Sequence, residues 1–206
     1  MSIFSPEGKL TAVLNRIGDL IVLNVITILC CLPVLTAGAA LTALYSVTLK
    51  MVKNEEGKIF AEYFRAFRAN FRQATVLFGV SAGVLLLIIL DFYVLRTQNG
   101  TMWTVYKGIL LTALILLGTY MCYLFPVLAR FVNTTKNTAK NALLFSIIHP
   151  FQSVLMLITM LIPVILPFLS LRVLFLEVLL GIAGPAFLTS IYYRHVFQGF
   201  ETAKAA

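Results

Sequence analysis

Three carboxylic acids, Asp19, Asp91 and Glu177, fall in or beside long apolar runs, and Asn24 lies inside one. An ionisable group at membrane depth is costly, so each is a candidate for function. The plainer reading places each near a helix end, where it reaches headgroup water. Asp19 and Asp91 fit that reading. Glu177 stands about one turn beyond Arg172 and could pair with it, but together with Asn24 it is the candidate intramembrane polar site. His149 precedes Pro150 and reads as a packed polar group, while His195 sits beside Arg194 as an interfacial anchor. Two distant histidines without a carboxylate at fixed spacing make no metal site. Cys30, Cys31 and Cys122 all lie in apolar runs, with no CxxC or Cys/His spacing, and read as small apolar side chains. There is no GxxxxGK(S/T) loop, no HExxH and no GxSxG. The expectation is a non-enzyme with no catalytic, cofactor-binding or metal-ligating residues and no cofactor.

The elements that hold these residues are set by composition. The 206 residues are 60% hydrophobic and only 12% charged, about half the charged share of a soluble domain. Several apolar runs reach about 18 residues or more, enough to cross a hydrocarbon layer about 30 Å thick. Residues 1–206 therefore read as a single integral membrane domain. The expected fold is all-α, a polytopic transmembrane helical bundle of five or six membrane segments. No early apolar run with a small-residue cleavage site follows the N-terminus, so no removable signal is expected. A net charge of +8 comes from loop lysines and arginines that anchor the chain and meet anionic lipid, not from a nucleic-acid surface.

Along the chain, a first apolar segment from about Gly18 to Leu32 is interrupted at Pro33, Thr36 and Gly38. Pro33 lacks an amide hydrogen and biases Leu32 away from helix. A second helix resumes from Ala39 to about Lys53, so the first two segments form a short hairpin. Whether both arms cross or the second is a re-entrant half-helix stays open. Residues 59–72 form an expected interfacial amphipathic helix. Phe60, Phe64, Phe67 and Phe71 make one aromatic stripe, and Arg65, Arg68 and Arg72 a basic stripe displaced around it. Further spans are expected over about 74–95, 105–131, 142–166 and 173–192, with prolines 126, 163 and 167 bending helices. Ala39 with Ala43, Gly79 with Gly83, and Gly181 with Gly184 form small-residue faces for close helix packing. If Pro33 marks an outer turn, only Arg96, Lys107 and Arg172 of the sixteen basic residues lie outside, and both termini are cytoplasmic. A single first crossing moves Lys9 and Arg16 outside as well and fits less well.

The stretches LPVLTAGAALTALY, FRAFRANFRQA, CYLFPVLARF and TKNTAKNALLFSI resemble the YesL-like family of bacterial integral membrane proteins. The resemblance covers nearly the whole chain and is most specific in its first half. It implies a small multi-pass protein of the cytoplasmic membrane of Gram-positive bacteria, typically encoded beside carbohydrate ABC importers and polysaccharide-degrading enzymes. It supplies no catalytic or binding residues. The resulting expectation is an accessory or regulatory subunit contacting the lipid bilayer and importer permeases, with a homo-oligomer possible and no nucleic acid bound. The competing expectation is a stand-alone secondary carrier or channel for a small solute, its path lined by Glu177, Asn24 or the Pro33–Gly38 break.

Overall fold

A chain this apolar must close its backbone hydrogen bonds within itself, and helices do so most directly. The computed structural model describes residues 9–165 and 177–205, and among these the regular structure is all helical. Helix α1 (Lys9–Cys31) leads through a 3₁₀ turn (Val34–Thr36) into α2 (Ala37–Met51). Then follow α3 (Ile59–Leu95), α4 (Thr101–Arg130), α5 (Thr135–Ile148), α6 (Pro150–Ile165) and α7 (Ala183–Ala205). Four segments are long and apolar enough to cross a membrane: α1, the 3₁₀ turn with α2, α3 and α4. They are five if α5 and α6 together make one span. The protein is thus an all-α, multi-pass membrane bundle.

The expected hairpin forms at Pro33. The last carbonyls of α1 have no intrahelical partner, and the Thr36 hydroxyl, 2.5 Å from the Cys30 carbonyl and 2.8 Å from that of Pro33, shares its one proton between them. The tip itself is greasy: Leu32, Val34 and Leu35 are 72%, 71% and 74% exposed. At the other end, Arg16 donates to Glu56 and, at 2.6 Å, to Asn54, whose φ of 54° is one asparagine tolerates. The start of α1 and the α2–α3 connection therefore share one end of the bundle.

Helix α2 is the centre of the fold. Ala39, Ala43, Leu44 and Val47 are fully buried in it, and α1, α3, α4 and α7 all pack around it. Gly38 makes the closest approach, since a Cβ placed there would stand 2.7 Å from both the Ala74 carbonyl oxygen and the Phe78 Cβ. The Thr48 and Ser190 hydroxyls meet at 2.8 Å between α2 and α7. Tyr193 stands edge-on to both Tyr45 and Tyr123, with ring centroids 5.7 and 5.5 Å away, and its hydroxyl donates to the Cys122 carbonyl at 2.6 Å.

Two expected boundaries differ from those observed. The interfacial helix 59–72 is not a separate element, because α3 runs unbroken for 37 residues, about 55 Å. Its early turns are polar, but they hold no glycine or proline, and a change in polarity alone does not interrupt the hydrogen-bond ladder. Conversely, the segment expected as one span over 142–166 is broken at His149, where α5 and α6 meet at a bend of 106°. Pro150 explains the break by pushing His149 out of the helical region, to φ −117° and ψ 62°. The expected last span over 173–192 begins outside the described residues, and α7 starts at Ala183.

The Gly38 contact also fixes where the hairpin ends. Phe78 precedes the last residue of α3 by 17 positions, about 25 Å along its axis. The hairpin tip therefore lies well short of the turn that joins α3 to α4. In a background without the native cysteines, Asn99→Cys is expected to react with a membrane-impermeant maleimide from one side of the membrane. Leu35→Cys is expected to stay unlabelled from that side. Equal labelling of both from the same side would refute this placement.

Candidate functional site

Asn24 carries the only side-chain amide in the apolar stretch of α1, and it is fully buried. A buried amide needs partners for two N–H donors and for the lone pairs of its oxygen. They come from the far end of the chain. Asn24 Nδ2 donates to the carbonyls of Glu177 at 3.0 Å and Val178 at 2.8 Å. Its Oδ1 accepts from the amides of Ile182 and Ala183, both at 2.8 Å.

The sequence around these four groups shows why an amide is needed. A helical turn at 177–180 is interrupted at Gly181–Ile182 before α7 begins at Ala183. An interruption leaves carbonyls unpaired on one side and amides unpaired on the other. Asn24 serves both, offering two donors to the ending turn and an acceptor to the starting helix. Pro185 in the first turn of α7 has no amide hydrogen to satisfy. Gly181 is required at the interruption because a Cβ there would stand 2.7 Å from the Glu177 carbonyl oxygen. At membrane depth, irregular backbone is tolerable when buried in protein, and the Asn24 amide makes that burial possible here.

The expected pair Asn24 and Glu177 is thus brought to one place across 153 residues, through the Glu177 main chain. The Glu177 carboxylate does something different: its Oε1 is buried without a hydrogen-bond partner among the described residues. The pairing expected with Arg172 falls outside the described residues. Asp91 is exposed and lies 3.5 Å from the Tyr106 hydroxyl, while Asp19 is half-buried. Among the described residues, no three of His, Cys, Asp or Glu come together as metal ligands would.

The small-residue pairs separate into three kinds of position. Ala39 and Ala43 are fully buried within this chain, so they pack its own core and offer no surface to a partner. Gly181 shapes the interruption described above, and the nearest atom to a Cβ at Gly184 would be Leu180 Cβ at 3.8 Å. Gly79 and Gly83 face open space, with no atom within 4 Å of an added Cβ.

The aromatic and basic stripes lie on the first turns of α3. Successive rings of Phe60, Phe64, Phe67 and Phe71 have centroids 4.7, 6.4 and 5.6 Å apart. Phe60 is 62% and Phe71 40% exposed, while Phe64 and Phe67 pack against the core. The helix is held down by two residues that the stripe pattern did not single out as anchors. Tyr63 is fully buried and donates to the Ala40 carbonyl at 3.3 Å. Glu62 accepts from Lys50 at 3.1 Å and Arg65 at 3.4 Å. Arg65, Arg68 and Arg72 remain exposed on the basic face.

Residues 20–92 match the model of a family described as "Protein of unknown function, DUF624". This stretch resembles a domain family of unknown function. It runs from Leu20 in α1 to Phe92 near the end of α3, and so takes in Asn24, the Pro33–Gly38 turn and the aromatic–basic turns of α3. No curated protein and no solved structure matches the chain.

Proposed function

We propose that the protein is a non-catalytic membrane subunit that joins the permeases of a carbohydrate ABC importer and assists its assembly or regulation in the bacterial cytoplasmic membrane. The observation that carries the non-catalytic, non-carrier part is how polar groups inside the bundle are used. Asn24 bonds four backbone groups of its own chain, and Thr48 and Ser190 bond each other. Thr27, Thr42 and Ser81 each turn back to the carbonyl four residues earlier. A sugar path needs hydrogen-bonding groups left free for the sugar, and these are already engaged. The importer itself is suggested only by the YesL-like resemblance, whose members are encoded beside such systems. In this arrangement both termini and the basic turns of α3 face the cytoplasm, in keeping with the positive-inside bias.

The open Gly79/Gly83 face of α3 suits close approach by a helix of the importer. Gly79→Leu combined with Gly83→Leu is expected to reduce copurification of permease subunits at least fivefold in mild detergent, with the protein's own yield unchanged. Mass spectrometry of the tagged pull-down checks it. Unchanged permease recovery would remove that face from the interface, and absence of permeases from the wild-type pull-down would overturn the subunit reading.

One observation favours the carrier reading: the unpartnered Glu177 Oε1 beside an interrupted helix, an arrangement that lines paths in transporters. That reading predicts ion or solute flux from reconstituted protein that Glu177→Gln abolishes. Flux insensitive to this change excludes Glu177 as its carrier.

A further inference from the structure

The α1–α2 hairpin fixes what surrounds the first turns of α3. Arg16 of α1 is tied to Asn54 and Glu56, just before α3 begins at Ile59. Nearer the hairpin tip, Tyr63 of α3 donates to the Ala40 carbonyl in the first turn of α2. The part of α1 between these two points runs beside the early turns of α3. It leaves Ile17, Val22, Val25 and Leu29 exposed, and a face of that kind on a membrane bundle calls for acyl chains.

At the same level α3 carries a groove of about 610 Å³ lined by Phe60, Ala61, Phe64, Arg65 and Arg68. Its shape follows from helical spacing. Ala61, Arg65 and Arg68 fall at i, i+4 and i+7 beside the line of Phe60 and Phe64, and alanine, the one small side chain among them, opens the floor. Local carboxylates do not neutralise the rim. Arg65 shares the Glu62 carboxylate with Lys50, at 3.4 and 3.1 Å, and Arg68 makes no ion pair among the described residues. On a helix face in water, two exposed arginines would need no counter-ion. Beside the lipid-facing side of α1 they do, because an unpaired charge next to acyl chains is costly. A long arginine side chain meets that cost by reaching into the headgroup layer, where the available anion is a phosphate.

We propose that this groove holds the headgroup of an anionic phospholipid. The planar guanidinium forks of Arg65 and Arg68 suit the oxygens of its phosphodiester. The exposed Phe60 ring and its neighbour Phe64, with centroids 4.7 Å apart, give the glycerol and the first methylenes an apolar wall. A zwitterionic headgroup fits less well, since it brings a cation of its own to the two arginines. The site is independent of the importer proposal and stands or falls separately.

The test uses the full chain in nanodiscs of phosphatidylglycerol and phosphatidylcholine in equal parts, with the same acyl chains. Native mass spectrometry counts the lipids that stay bound after the disc is stripped. Wild type is expected to retain phosphatidylglycerol over phosphatidylcholine at least fivefold. Arg65→Gln with Arg68→Gln should bring that ratio close to parity. Lys136→Gln with Lys140→Gln, which removes the same charge from exposed positions of α5, should change it less than twofold. Ala61→Leu fills the floor of the groove at an exposed helical position without altering charge, and should lower the ratio at least threefold. It keeps the test decisive if the double arginine variant folds poorly. The proposal is overturned if wild type retains both lipids alike, if the two charge variants lose phosphatidylglycerol equally, or if Ala61→Leu retains it normally. Absence of lipid preference together with binding of poly-L-glutamate that needs Arg65 and Arg68 would likewise overturn it and assign the groove to an acidic protein segment.

Discussion

Asn24→Leu is expected to cost the folded protein about 2 kcal/mol or more. Leucine keeps the heavy-atom count and the branch at Cγ, but its methyl groups are bulkier than the amide, so some overpacking adds to the loss. Four backbone groups, the carbonyls of Glu177 and Val178 and the amides of Ile182 and Ala183, would lose their side-chain partner. A buried group left without a partner costs about 1–3 kcal/mol in water-soluble proteins. Side-chain hydrogen bonds between membrane helices average less, near 0.6 kcal/mol, because the unfolded helices find other partners in lipid. Gly181 keeps one bond, from its amide to the Glu177 carbonyl, so the loss is below the sum of four. Asn24→Asp separates the two halves of the arrangement: a carboxylate accepts from Ile182 and Ala183 but offers nothing to the two carbonyls. It should be no better than leucine. Unfolding in mixed micelles with increasing dodecyl sulfate measures both. A change under 1 kcal/mol for Asn24→Leu would mean that the interrupted helix holds its shape without the amide.

Gly38→Ala should cost about 2 kcal/mol, although alanine is the better helix former by about 1 kcal/mol. The reason is what the methyl group meets. Its nearest neighbours, 2.7 Å away, are a main-chain oxygen of α3 and the Cβ of Phe78, neither of which can swing aside as a side-chain tip can. Either α2 and α3 separate or the methyl strains both, and overpacking of this kind costs about 1–3 kcal/mol. Gly79→Ala is the matched comparison on the same helix pair's outer side. With nothing within 4 Å, it should be neutral or stabilise by up to about 1 kcal/mol. The same detergent titration reads both, and equal effects would show that close approach at Gly38 does not govern the α2–α3 contact.

These two glycines also show what sequence spacing could reveal. Gly79 and Gly83 carry the familiar four-residue spacing, yet both face outward, while the glycine that sets a helix contact stands next to a proline turn. Spacing reports which faces are small, not what lies opposite. The helical character and the Pro33 turn were legible because apolar length and proline chemistry act locally. The union of α3's polar and apolar parts was not, since polarity and backbone continuity are separate properties. His149–Pro150 was legible in principle, because proline constrains His149 as it constrains Leu32 before Pro33. Asn24 and Glu177 were each visible as costly residues. Nothing in a one-dimensional pattern could join positions 153 residues apart, and still less assign the contact to the Glu177 main chain.

The depth of the α1–α2 hairpin has a consequence for the lipid around it. Its Gly38 packs about 25 Å before the end of α3, and the exposed Leu86, Leu87, Ile89 and Leu90 lie beyond that contact. Those leucines and isoleucines need acyl chains, so along this stretch of α3 lipid takes the place that the hairpin holds beside Ala74 and Phe78. The hairpin therefore adds its cross-section to only part of the depth that α3 covers.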